Sequence, residues 1–342
     1  MSEIRVNNIT NRDGSTGTTV AGIPVVDSTS HFVVPSGNTA ERGSRGRGLF
    51  GGGDTPADVN TIDYITIATL GNAVDFGDLT TGRRGISACS SSTRGIFAGS
   101  LGGNVIDYVT ISSTGNAFDF GDFTENKFGP GGASNSIRGI FAGGYQPTGS
   151  IFTTGIEFIT IASLGNASKF TDFADKNSGS GGFSSPTRAF FAGGSGAENV
   201  DNVYNTIQFL TIATLGNTQD FGDLTLARDF CSAFSNSVRG VIGGGDTENP
   251  SSGNFTNIID YITIASTGDA QDFGDLSSTR ERGAGCCNST RGIFASGWTP
   301  AARQTTIEYV TISTTGDASD FGDITVARLE PGGLSDSHGG LG

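Results

Sequence analysis

Short alternations of apolar and polar residues recur along this chain, and no stretch sustains a helical period. The run IIDYITIA from Ile258 alternates β-branched with polar residues, as a strand with one buried face does. Versions of it recur as IDYITIA, IDYVTIS, IEFITIA, IQFLTIA and IEYVTIS. Each is preceded by an arginine, an apolar pair and glycines: RGLFGGG from Arg47, RGIFAGS from Arg94, RGIFAGG from Arg138, RAFFAGG from Arg188, RGVIGGG from Arg239 and RGIFASG from Arg291. Each is followed by a Gly-(Asn/Asp) turn and an Asp-Phe-Gly-Asp-like segment. The unit from Arg228 to Leu276 therefore predicts four strands. The first, in RDFCSAFSNS, is rich in small residues; VRGVIGG, IIDYITIA and AQDFGDL follow, the last carrying Phe273 as an apolar plug. Gly268 and Asp269 are residue types that tolerate the positive φ of a tight turn.

A period of roughly 40–50 residues with four strand-sized pieces is that of a β-propeller blade. The pattern predicts an all-β fold, a six-bladed propeller over residues 45–342 preceded by an extended arm over 1–44. Ring closure is also readable. Only ERGSRG precedes Arg47, so the first unit lacks its small-residue strand, whereas the chain ends in RLEPGGLSDSHGGLG, a first strand without the rest of its blade. Residues about 328–338 are expected to complete the blade of residues 47–80 by pairing with Leu49 and Phe50, with His338 where the repeated arginine would stand. The units resemble kelch repeats. Double glycines such as Gly143-Gly144 and Gly193-Gly194 end the second strand, and Tyr64, Tyr108, Phe158, Phe209, Tyr261 and Tyr309 fall on the third. Phe76, Phe120, Phe170, Phe221, Phe273 and Phe321 stand where a kelch unit usually has tryptophan.

Composition adds constraints. Fifty-five glycines suit short strands and tight turns. A net charge of −14 argues against a nucleic-acid partner, whose phosphates call for basic patches. No apolar run is long enough for a transmembrane helix, and MSEIRVNNITNRDG does not read as a secretory leader. Cys89, Cys231, Cys286 and Cys287 lack metal-ligand spacing and read as small buried thiols.

Several motifs tempt a chemical reading. DFG at Asp75, Asp119, Asp220, Asp272 and Asp320 matches a kinase triplet, but five copies in a β array without a phosphate loop point to structure. The six repeated arginines are expected to pair with carboxylates such as Asp63, Asp78 and their equivalents. No calcium-loop spacing occurs. A glycosidase would need converging carboxylates, and Glu198, Glu248 and Glu281 form no recognisable set. No catalytic residue, metal or cofactor is expected.

What differs between units is the better guide to function. The loops between second and third strands vary most, and strand alternation brings all six to one face. They carry Tyr145, Phe152, Tyr204, Phe255, Trp298 and Arg303, a set suited to stacking and hydrogen bonding with a glycan or protein. Residues 1–44 are too few to bury a core, and expose Ile4, Val6, Ile9, Val20, Ile23 and Val25 to a partner. This arm resembles the attachment segments of tailed-bacteriophage fibres, and units such as IDYITIATLGNAVDFGDLT are similar to kelch-type propellers of phage structural proteins, especially those of phages infecting marine cyanobacteria. The resemblance implies a virion protein at the tail or baseplate periphery, extracellular after host lysis. It implies a tail fibre or receptor-binding protein whose arm docks on other virion proteins, as a homotrimer by fibre analogy, and whose loops contact the host surface. A decorating protein without a receptor role and a polysaccharide-degrading propeller are the alternatives.

Overall fold

The computed structural model describes residues 46–196, 203–214, 216–248 and 253–341, with the short paired strands Thr19–Val20 and Ile23–Pro24. The chain divides into the units Met1–Arg45 and Gly46–Gly342. In the first, Val20 faces Ile23 across the two-residue ladder; Ile4, Val6, Ile9 and Val25 lie outside the described residues.

Six four-stranded antiparallel sheets form the second unit, a six-bladed β-propeller. From the axis outward, blade 1 consists of Gly332–Ser335, Arg47–Gly51, Thr61–Thr66 and Val74–Asp78. Blades 2 to 6 begin at the innermost strands Ser87–Ser90, Gly131–Ser134, Gly181–Ser184, Ser232–Ser235 and Ala284–Cys287. The propeller's first and last strands close the ring as the half-blades predict: Leu334 lies opposite Leu49 and Gly333 opposite Phe50. Even the turn between these strands is rebuilt across the gap. In blades 3, 5 and 6, Asn135, Asn236 and Asn288 accept backbone hydrogen bonds at the following arginine. In blade 1 the Asp336 carboxylate does so for Gly46 N (2.8 Å) and Arg47 N (3.1 Å).

Small residues at the axis have a second role besides fitting a narrow space. One side chain per blade hydrogen-bonds the preceding blade's backbone. Ser134 Oγ donates to Ser90 O, Ser184 to Ser134 O, Ser235 to Ser184 O, Cys287 Sγ to Ser235 O, Ser335 to Cys287 O and Ser90 to Ser335 O. All four thiols are free, and burial pushes those of Cys231 and Cys287 up to about 12. His338 does not take the place of a repeated arginine. The turn SDSHGG aligns His338 with Ile137, one position earlier, and the imidazole turns inward to line the axial channel beside Ser90 and Ser134. Gly340 N donates to His338 Nδ1 (3.0 Å), so Nε2 carries the proton and donates to Ser90 O (3.0 Å).

Six apolar clusters lie between successive blades. One joins Phe234, Val241, Ile259 and Phe273 of blade 5 to Phe294, Val310 and Ile312 of blade 6. The DFG glycines are joints: a Cβ on Gly274 would sit 2.5 Å from the backbone of Gly316 in the next blade's turn, and Asp275 N bonds that turn's Asp317 carboxylate (3.1 Å). The repeated arginines correct the expectation of carboxylate partners. Arg47, Arg94, Arg138, Arg188, Arg239 and Arg291 stack over the third-strand aromatics Tyr64, Tyr108, Phe158, Phe209, Tyr261 and Tyr309, at 4.4–5.0 Å from the ring centroids. Each also donates to a carbonyl of the following blade, from Arg47 to Ile111 O (2.8 Å) round to Arg291 and Ile67 O (2.8 Å).

Candidate functional site: the loop face

The variable loops and the linkers into each innermost strand meet on one face. Phe128 pairs with Tyr145, Ser178 with Ser195, Asp229 with Asp246 and Glu281 with Trp298 through isolated antiparallel bridges. The linkers are fixed from below by a charge pair in each of five blades. Asp63, Asp107, Glu157, Asp260 and Glu308 on the third strands face Arg328, Arg83, Lys127, Arg228 and Arg280 in the linkers. Asp63 is thus an ion-pair partner, but of Arg328 rather than of Arg47. Thr325, Thr80, Thr124, Thr225 and Ser277, three residues before each cation, donate backbone N–H bonds to the same carboxylates. Blade 4 has Ala174, Asn177 and Gln208 in these places. All three members change together, as expected where a lone buried charge would be worse than none.

At the axis this face has a second ring, one residue per blade with positive φ. Blades 2 to 4 place glycine there: Gly85, Gly129 and Gly179 (φ 67°, 61° and 73°). Blades 5, 6 and 1 place Phe230, Arg282 and Glu330 there instead (φ 48°, 56° and 59°). Backbone bonds link the ring, including Gly129 N to Gly85 O (2.9 Å) and Arg282 N to Phe230 O (3.0 Å). Each non-glycine residue in this conformation is strained, a cost that proteins tend to retain at functional sites. Arg282 stacks on Phe230, 3.9 Å from its centroid, hydrogen-bonds the Glu330 carboxylate and forms an ion pair with Glu281 (3.0 Å). The six positions surround an open cavity of about 90 Å³, glycine-walled on one side and carrying Phe230, Arg282 and Glu330 on the other.

Charge gathers around this half of the mouth. Arg84 lies 3.5 Å from Asp54 and 3.7 Å from Glu330, and Arg303 bonds Asp54 at 2.7 Å. Asp229, Asp246 and Glu281 are buried beside it. Burial pushes the Asp229 carboxyl up to about 7; Ser195 opposes the shift and Glu281 reinforces it. Glu281 thus belongs to a set that the sequence did not reveal. No group that could hold a metal occurs among the described residues.

The aromatics nominated from sequence fall into two pairs and a single residue. Tyr145 and Phe152 pack with tilted rings, centroids 5.0 Å apart, on opposite strands of a hairpin in blade 3's loop. Phe255 and Trp298, on neighbouring blades, lie 6.4 Å apart, with Trp298 39% exposed. Tyr204 is half-buried in blade 4. Arg303 is committed to a seam between blades 6 and 1 through Asp54. The axial ring and the linker cations were missed. Both have a sequence signal in the endings GRRG, NKFG, KNSG, ARDF, TRER and ARLE, whose second residue lies four positions and whose last residue lies two positions before each innermost strand. Compared with known families and curated proteins, the chain matches no family model and no curated sequence.

Proposed function

We propose that this protein is a non-enzymatic structural virion protein of a tailed phage, a kelch-type tail fibre or receptor-binding protein. Residues 1–44 anchor it to other virion proteins, and the loop face contacts a host-surface glycan or protein. The phage assignment rests on the resemblance of the arm and repeats. The assignment of the face rests on one observation: the axial ring breaks the repeat with strained Phe230, Arg282 and Glu330 where three blades keep glycine. The opposite face, with its turns SSSTRG, SNSIRG, SSPTRA, SNSVRG and CNSTRG, stays close to uniform. Side chains that differ from blade to blade where the scaffold requires no difference suit recognition of an asymmetric ligand.

A polysaccharide hydrolase would need two carboxylates converging on its substrate. Glu330 is the one carboxylate lining the axial cavity among the described residues, and it is bonded to Arg282, which favours binding over hydrolysis. Competition separates a receptor-binding protein from a decorating one. Purified chain added before infection should block adsorption of its parent particles to host cells. Unchanged adsorption at saturating protein would favour the decorating role, and release of reducing ends from host polysaccharide would favour the enzyme.

A further inference from the structure

Lysine is confined to one place. The chain has three, Lys127, Lys169 and Lys176, and all belong to the surroundings of a single groove at the rim of blade 3. The groove measures about 510 Å³, within the range of ligand clefts, roughly 300–1,000 Å³. One wall is the hairpin Tyr145–Gln146 with Ile151–Phe152; another is the outermost strand Ser168–Asp172. On that strand Lys169 replaces the aspartate found at positions 75, 119, 220, 272 and 320 of the other blades. A chain with 34 acidic residues thus places one of its three ammonium groups where its own repeat calls for a carboxylate.

Internal pairing leaves a defined remainder. Lys127 Nζ and the Gln146 amide hold Glu125 (3.2 and 2.6 Å), and Lys169 holds Asp172 (2.7 Å), which Thr154 also bonds (3.2 Å). Thr153 lines the groove at 8% exposure, and its hydroxyl has no hydrogen-bond partner among the described residues. Lys176 is exposed and makes no ion pair among the described residues. Beside them stand Ile151, 45% exposed, and the half-buried Phe152 ring. A buried hydroxyl open to the groove, an exposed ammonium and an apolar wall together match a sugar ring that carries a carboxylate.

We propose that this groove binds a uronic acid residue of a cell-surface polysaccharide. Its carboxylate meets Lys176, a ring hydroxyl satisfies Thr153, and its apolar face lies on Phe152. The assignment rests on the reading of the loop face as a binding surface and names one ligand class for it. The test is titration calorimetry of the full chain with trisaccharides of galacturonate, mannuronate and guluronate, and with their methyl esters. At least one free acid should bind, and its ester at least tenfold more weakly. Lys176→Gln should weaken the free acid about tenfold and abolish the preference over the ester, Lys176→Arg should keep both, and Thr153→Val and Phe152→Ala should each weaken binding. Equal affinity for acid and ester, an unaffected Lys176→Gln variant, or no binding by any of the three acids overturns the proposal. If uronates fail while Trp298→Ala still impairs adsorption, the groove alone is wrong; if every loop-face variant adsorbs normally, the reading of the face falls with it.

Discussion

Arg228 and Asp260 are fully buried and face each other at 2.9 Å, with Thr225 Oγ1 on the same carboxylate at 2.7 Å. Such a pair contributes little against an apolar replacement, but removing one partner leaves an uncompensated charge at about 3–5 kcal/mol. Arg228→Met and Asp260→Asn should each lower stability by about that much in urea unfolding. Blade 4 supplies the control. The triple change Thr225→Ala, Arg228→Asn and Asp260→Gln should lose less than either single variant, and a loss equal to the sum of the singles would show that the three do not act as a unit. The carboxylates were legible in the sequence but their partners were not. Arg-Gly stands out because it opens a strand, whereas the linker position holds arginine, lysine or, in blade 4, neutral asparagine among unlike neighbours. Two further residues set a pH response of opposite signs. Asp229 is held near 7 against an ordinary 3.8, so the folded state binds its proton more tightly. Its contribution is complete below pH 3.8 and lost as pH rises through about 7. Burial pulls His338 down to about 4 from 6.5, so its contribution is complete above 6.5 and lost as pH falls through about 4. Melting temperatures between those limits should rise more steeply with pH in Asp229→Asn and less steeply in His338→Gln; parallel curves for all three proteins would refute both assignments.

The innermost strand Gly332–Ser335 shows what a single element contributes. It supplies the pairing edge for Arg47–Gly51, a link of the axial hydroxyl ring through Ser335, and the cap on Arg47 through Asp336. Truncation after Leu329 removes all three together with Glu330 and the inward-turned His338. The truncated protein should melt well below the parent or aggregate through its open edge. Asp336→Ala removes the cap while keeping the strand and should cost about 0.5–2 kcal/mol, by analogy with other side-chain caps of backbone N–H groups. An unchanged melting temperature on truncation would contradict the closure. This closure could be read from the sequence because a missing strand at one end matched a surplus strand at the other. The inward turn of His338 could not, since in the other five blades the same turn directs the residues that follow it into a second strand.

Across the whole molecule, the period revealed the ring and loop variation revealed the face, while the centre of that face stayed hidden. Phe230, Arg282 and Glu330 matter because glycine occupies their places in three other blades, a comparison that needs the register of linkers of unequal sequence. The arm makes a separate claim. Removing residues 1–44 should leave a soluble, folded propeller that no longer enters particles, and normal incorporation of the shortened chain would end the anchoring role. The loop face is the central claim, and adsorption of particles carrying substitutions on either face tests it most directly. Trp298→Ala on the loop face should weaken attachment to host cells about tenfold, in line with roughly 1–3 kcal/mol for a stacking aromatic, without lowering the melting temperature. Ile137→Ser and Val238→Ser, at exposed positions in the uniform turns, should adsorb like the parent. Normal adsorption of the Trp298→Ala particles together with a loss for the turn variants would place recognition on the opposite face and contradict the account.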